Sequence, residues 1–448
     1  MGLSGRSRKQ TVPTSMKGVV LPHKESLYAK VVYWFKLVAL TGGAQVVVQG
    51  AGLLTGILII RLLPTREYAY YTLANTVLGM MTMLSDAGIS SGVMAQGGKV
   101  WQDRTALGVV LASGLNLRKK FALLALAIGV PMLVFLMHRN GADWLTTSLV
   151  IVMLIPSFLA ALSDTLLEVS PKLHQQIGPL QRNQTEVSIL RLFLSGVRLF
   201  VLPFTAVALL INGATRIYGN QKLRVISSAY ADKDAQPDPQ VQQEIVRVVK
   251  RILPPMLYYC FSSQIIIWIP SILGNTEGVA QVGALSRLAM ALNMFSILIS
   301  TLLLPRFARI DEKNPAGVTK LFVYIQFVLF VISLFIIAIF YTFPTQFLWI
   351  LGNSYANLSH ELVLMIVANC IGMVSNLTAK TIGSRGWFVH PAIVMGINIS
   401  SIVIAFYAFN LSHISGVLYY DIFLNAVSYV FSLSYGFFRM KKSSIASA

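Results

Sequence analysis

The chain has 448 residues, 55% of them hydrophobic and 12% charged, with a mean hydropathy of +0.67; an ordinary soluble domain carries roughly a quarter charged residues, so water alone is excluded as its solvent. The net charge of +19 would suggest nucleic acid in a soluble protein, but here the basic residues stand between apolar runs, which argues for membrane topology and against a nucleic-acid partner. Cys260 and Cys370 lie inside apolar runs without CxxC spacing, so no disulfide framework, metal site or redox cofactor is indicated.

In chain order, residues 1–36 are polar and basic (Arg6, Arg8, Lys9, Lys17, Lys24, Lys30, Lys36), and the apolar run after them lacks a small-residue cleavage pattern. They read as an uncleaved cytoplasmic tail. A bilayer core about 30 Å thick needs roughly 20 mostly apolar residues per helix. Apolar runs fall near 37–60, 71–95, 119–138, 146–167, 185–203, 205–220, 255–274, 282–304, 319–341, 361–382, 391–410 and 415–437. The fifth and sixth are short for two helices and are split chiefly by Pro203, which disfavours helix at the residue before it.

Charge placement decides the count, because Lys and Arg concentrate in cytoplasmic loops. With the tail inside, inner segments hold Lys99, Arg104, Arg118, Lys119 and Lys120, then Lys172 and Arg182, then Lys222, Arg224, Lys233, Arg247, Lys250 and Arg251. Later inner segments hold Arg306, Arg309, Lys313 and Lys320, then Lys380 and Arg385, and finally Arg439, Lys441 and Lys442, whereas outer loops carry only Arg61, Arg66 and Arg139. Merging the fifth and sixth runs would reverse every later loop, so the expected fold is an all-α polytopic membrane protein of about 12 transmembrane helices with both termini cytoplasmic.

The longest internal loop, 221–254, opens with the polar stretch SSAYADKDAQPDPQ, a flexible composition, and divides the runs six and six. The expected organisation is a tail (1–36), an N-lobe (37–220), a cytoplasmic linker (221–254), a C-lobe (255–438) and a second tail (439–448). Within the linker, Val241, Ile245, Val248, Val249 and Ile252 recur at helical spacing. They describe either an amphipathic helix on the inner leaflet or an extension of the seventh span. The halves also look alike: LLPTREYAYYTLANTVLG (62–79) and ILGNTEGVAQVGALSRLAM (272–290) each join two runs through a short polar turn with Glu67 or Glu277, and internal repeats with a substrate path between them are common in transporters.

These residues carry a family resemblance. The string GLLTGILIIRLLPTREYAYYTLA (52–74), then SDAGISSGV (85–93) with Asp86 and Gly88 in an Asp-x-Gly motif, and the stretch 272–310 with Pro305 before basic residues, resemble the polysaccharide and O-antigen flippases (Wzx-type) of the multidrug/oligosaccharidyl-lipid/polysaccharide exporter superfamily. The resemblance implies a two-lobed, V-shaped bundle working by alternating access in a bacterial inner membrane. It further implies export of undecaprenyl-diphosphate-linked oligosaccharide from the cytoplasmic to the periplasmic leaflet, with a polysaccharide polymerase and a chain-length protein as partners.

Charged side chains inside spans cost roughly 2.5–3.5 kcal/mol at mid-helix, so those that persist usually face a cavity or a partner. Arg191 and Arg198, seven residues apart in the fifth span, share a face. Directed into a cleft they suit a diphosphate, which guanidinium groups bind in bidentate fashion; otherwise Arg191 reaches to the inner surface. Arg287 and Arg61 would line the same cleft if the halves are related by a repeat, or else anchor at the interfaces. Asp86 is a candidate for pairing an arginine, carrying a coupling proton, or holding a helix distortion beside Gly88. Arg216 reads as a topology residue. Asp164 and Glu168 share a helix face near the inner end of the fourth span, and Gly52-x-x-x-Gly56 permits close helix approach. Catalytic and nucleotide-binding motifs such as G-x-x-x-x-G-K-[ST] and H-E-x-x-H are absent from the sequence, so the chain reads as a transporter rather than an enzyme, with a small-molecule antiporter as the alternative.

Overall fold

The computed structural model describes residues 27–308, 315–387 and 389–447; the basic tail before residue 27, together with Arg309 and Lys313, lies outside the described residues. The fold is all-helical. Its first half comprises α1 (Leu27–Leu62), α2 (Thr65–Asp86), α3 (Ile89–Gly97), α4 (Arg104–Arg139), α5 (Trp144–Leu167), α6 (Val169–Leu173), α7 (Ile177–Val201) and α8 (Thr205–Ser228). Its second half comprises α9 (Pro239–Ser262), α10 (Ile265–Ile272), α11 (Thr276–Ala308), α12 (Pro315–Thr342), α13 (Pro344–Leu351), α14 (Ser359–Gly383), α15 (Pro391–Ala408) and α16 (Ile414–Ser447).

Each expected span has its counterpart in a long helix or a bent helix pair. α2 and α3 meet at 42°, and α9 and α10 at 47°. The first bend has a local cause: Ala87 and Gly88 are both left-handed, at φ 45° and 86°, a conformation that ends a helix. The doubtful fifth and sixth spans are two helices, α7 and α8. Leu202 leaves the helical region before Pro203, at φ −131°, as the residue before proline should. Other ends are set by side chains. Asp103 accepts from the N–H groups of Thr105 and Ala106 at the start of α4, and Asp238 accepts from Gln240 N ahead of Pro239 at the start of α9.

Among the described residues, seven helices are long and apolar enough to cross a bilayer alone, or nine if each bent pair counts as one span. Two further long helices, α7 and α8, fall short. They carry Arg191 and Arg216, and polar residues are tolerated at such positions only where they face protein or a cavity.

Two lobes result. In the first, α1 packs on α7, α2 on α4, and α5 on α8; in the second, α14 packs on α16, α12 on α14, and α15 on α16. They touch where α11 crosses α1 and α2, and where α9 lies on α3 and α4. At the α2–α11 crossing, a Cβ on Gly283 would stand 2.6 Å from Thr72 Oγ1, so glycine sets the approach of these helices. Residues 241–252 are the first half of α9: Ile245 and Val249 are buried, and Ile245 fills the space left by Gly92 of α3. Before it, the linker is pinned along α4 by Asp232 N donating to Arg104 O (3.0 Å) and Asp238 N donating to Ser113 Oγ (2.9 Å). The end of the bundle that holds the α2–α3 bend, the start of α1 and the end of α16 is called the basic end below.

Candidate functional site

A cavity of about 220 Å³ lies where α1, α2, α7, α8 and α11 converge between the lobes. Arg191 enters it from α7 and Arg287 from α11, beside Gln49, Tyr71, Asn75 and Asn212, and no carboxylate lines it. Sharing Asn75, Arg191 and Asn212, a second cavity of about 450 Å³ extends through the first lobe toward the basic end. The two form one polar chamber within otherwise apolar helices.

The floor of the chamber is made by absence of side chain. Gly52 meets nothing within 4 Å, and a Cβ on Gly56 would stand 3.2 Å from Arg287 Cδ. Gly52-x-x-x-Gly56 is therefore no helix-packing seam; it seats an arginine from the opposite lobe. Arg287 is half-buried and in electrostatic reach of Tyr68 and Tyr71, and Arg191 Nε donates to Thr215 Oγ1 at 3.3 Å. Neither guanidinium makes an ion pair among the described residues. Two guanidinium groups, one from each lobe, thus face a cavity that no carboxylate lines, and Arg191 also borders the part of the chamber that holds Asp164 and Glu168.

Deeper in the first lobe the charges are balanced. Arg216 Nε donates to Asp164 Oδ2 at 2.6 Å, and Asn220 Nδ2 donates to Asp164 Oδ1 at 2.6 Å. Glu168 accepts from Lys172 Nζ at 2.7 Å and from Gln184 Nε2 at 3.1 Å. Asp164 and Glu168 thus share the wall of the chamber, each with its own cation.

The remaining candidates lie elsewhere. Arg198 is exposed on α7 and lines neither part of the chamber; its neighbours Val197, Phe200 and Val201 are also exposed, the pattern of a bilayer-facing surface. Arg61 is at the far end of α1, where it donates to the Ile350 carbonyl (2.8 Å) and the Trp349 carbonyl and covers the Trp349 ring. Those carbonyls end α13, where a cation is favoured. Asp86 pairs with Arg118 of α4 and accepts from both N (3.1 Å) and Oγ (2.6 Å) of Ser90. Arg118 also donates to the Leu162 carbonyl at 2.8 Å, so this ion pair ties the α2–α3 bend to α4 and α5.

Sequence reasoning missed Arg118 and Arg216, both counted as topology charges. Arg118 had a readable signal: it follows Leu111 and Gly114 and precedes Ala122 and Ala125 at helical spacing, all on the buried face, whereas Lys119 and Lys120 are exposed.

Opposite the basic end the lobes are latched. Besides Arg61, Arg139 Nε donates to the Ile272 carbonyl (2.9 Å), Asn140 Nδ2 donates to Ser271 Oγ (2.7 Å), and Thr276 Oγ1 donates to the Asn140 carbonyl (3.2 Å). The chamber is thus closed at this end.

No family model and no curated protein matches the sequence. Solved structures do match. An inward-facing multidrug resistance MATE family transporter of the MOP superfamily superposes with a TM-score of 0.71 at 15% identity, covering 90% of this chain and 96% of that one. An outward-facing transporter of the same description gives 0.59 at 14% identity, covering 91% and 95%. A eukaryotic MATE transporter gives 0.59 at 13% identity, covering 93% and 99%. The chain, with its helices long and apolar enough to cross a membrane, has the all-helical, two-lobed fold of these MATE transporters.

Proposed function

We propose that the protein flips undecaprenyl-diphosphate-linked oligosaccharide repeat units from the cytoplasmic to the periplasmic leaflet of a bacterial inner membrane, for O-antigen or related polysaccharide synthesis. The observation that carries this reading is the pairing of Arg191 and Arg287 across the lobes in a cavity without carboxylates. A diphosphate headgroup satisfies both cations; its glycan extends along the amide-bearing and hydroxyl-bearing walls, and its polyprenyl tail stays in the bilayer. The basic end is then cytoplasmic, with both termini, and the latch at the far end makes this the inward-open state. Product handed to a polymerase and a chain-length partner would leave from the periplasmic side.

The solved relatives named as multidrug transporters favour a second reading, a cation-coupled antiporter of small molecules. A cationic drug calls for free acids, but Asp164 and Glu168 are already paired, and the interlobe cavity holds none. The two readings part in liposomes containing purified protein and a fluorescent polyprenyl-diphosphate oligosaccharide, scored by protection from an external glycosidase. We expect protein-dependent flipping, reduced roughly 10- to 100-fold by Arg287→Gln or Arg191→Gln, since a hydrogen bond to a charged group contributes about 1.5–3 kcal/mol, and unchanged by Arg198→Gln. Flipping that survives the Arg191→Gln/Arg287→Gln double variant removes the chamber from the path; ethidium exchange against an ion gradient without flipping favours the antiporter.

A further inference from the structure

A second, larger recess of about 910 Å³ lies outside the interlobe chamber, on the first lobe between α4, α5 and α8, within the roughly 300–1,000 Å³ typical of ligand sites. Its walls are leucines: Leu111, Leu115, Leu123, Leu126, Leu159 and Leu162. At the rim Leu123 is 70% exposed and Leu159 52% exposed, so the recess opens sideways, where a bilayer stands. At the basic end it is bounded by Lys119, Arg224 and Lys233, with Asp232 as the one acid. Asp232 is occupied locally, its Oδ1 accepting from Asp234 N at 3.1 Å.

None of these three cations makes an ion pair among the described residues. Arg224 spends only its Nε, donated to Asn220 Oδ1 at 3.1 Å. Apolar walls continuous with the bilayer, ending in uncompensated cations at headgroup depth, have the chemistry of an anionic lipid: chains against the leucines, phosphate against the amines and guanidinium. We propose that this groove binds one anionic phospholipid of the leaflet at the basic end. Which leaflet that is rests on the topology proposed above; the binding does not.

Binding there is connected to the chamber through one side chain. Asn220 accepts from Arg224 at the groove and donates to Asp164 in the chamber wall, and Asp164 in turn holds Arg216. A phosphate that draws Arg224 outward loosens the amide that positions this pair, so lipid in the groove tunes the chamber without entering it.

The test is native mass spectrometry of the detergent-purified full chain, titrated with phosphatidylglycerol and, separately, with phosphatidylcholine of the same acyl chains. Phosphatidylglycerol should be retained preferentially. Lys119→Gln/Arg224→Gln/Lys233→Gln should remove about a hundredfold of that preference, at about a fivefold loss for each cation near a lipid surface. Leu159→Trp, which fills the groove from an exposed position, should lower binding of both lipids. If the triple variant does not fold, Lys119→Gln/Lys233→Gln, both exposed and free of hydrogen bonds among the described residues, should still remove about thirtyfold. Equal retention of the two lipids by the unmodified protein, or a preference that survives the variants, overturns the proposal. Inorganic phosphate that competes as well as the lipid also overturns it, since the leucine walls would then contribute nothing.

Discussion

Replacing Asp86 by Asn isolates a guanidinium inside the first lobe. The Arg118 side chain is 4% exposed and that of Asp86 22%, and breaking a fully buried pair from one side costs roughly 3–5 kcal/mol. The residual exposure of Asp86 lowers the expected cost to about 2–4 kcal/mol, because water shares the work of solvating the charge. The amide would still accept from Ser90, so the loss comes from the charge on Arg118, left with the Leu162 carbonyl and Ser90 Oγ at 3.1 Å. Arg118→Met removes the buried charge itself and leaves Asp86 with both Ser90 donors, so it should cost less, about 1–3 kcal/mol. The Asp86→Asn/Arg118→Met double variant should then be more stable than the sum of the singles by roughly 1–3 kcal/mol, as for groups in direct contact. Equilibrium unfolding in detergent, followed by tryptophan fluorescence, measures all three. The reasoning fails if Asp86→Asn unfolds at the unmodified midpoint while transport loses its dependence on an ion gradient; Asp86 would then be a coupling acid and its pairing incidental.

Two further outcomes follow from the places where the lobes touch. Arg61→Ala/Arg139→Ala removes the charged donors of the latch, each a hydrogen bond of about 1–2 kcal/mol at an exposed site. Ser271→Cys, at a position that is fully buried, should be labelled by an impermeant maleimide at least tenfold faster in that background; unchanged labelling would mean that other contacts hold the lobes closed. Gly283→Ala places a Cβ 2.6 Å from Thr72 Oγ1 and should cost about 1–3 kcal/mol as overpacking, read as a lower unfolding midpoint. Thr72→Ala in the same chain should restore most of it, and failure to restore would locate the strain elsewhere.

The helical layout was legible because each span repeats one signal, a long apolar run closed by polar residues. Even the doubtful division at Pro203 followed from proline geometry together with the alternation of basic loops. The chamber was legible in part. Arg191 and Arg287 were conspicuous as charges inside apolar runs, and they do converge. Arg198 and Arg61 gave the same signal, yet one sits on the outer face of α7 and the other at a helix end across the lobe boundary. Charge within a span reports that a partner or an escape route exists, without saying which. Arg118 and Arg216 were hidden for the converse reason: each stands where an inner end is expected, and only the helix face, set by neighbours such as Ala122 and Ala125, separates a buried arginine from a topological one. Gly56 was read as a packing residue because its spacing to Gly52 fits that use; that an arginine side chain fills the notch depends on α11, more than two hundred residues further along the chain.

The acceptors for both latch arginines, Arg61 and Arg139, are main-chain carbonyls of residues 349, 350 and 272. A carbonyl is present whatever side chain occupies the position, so the second lobe can drift in sequence at these residues without unfastening the first. For these contacts the burden falls on two arginine codons in one half of the gene, whereas the contacts through Asn140, Ser271 and Thr276 need particular side chains in both halves. Comparison of diverging homologues would see only one side of each arginine contact, and variation that loosens those contacts should collect at the two arginines rather than at their partners.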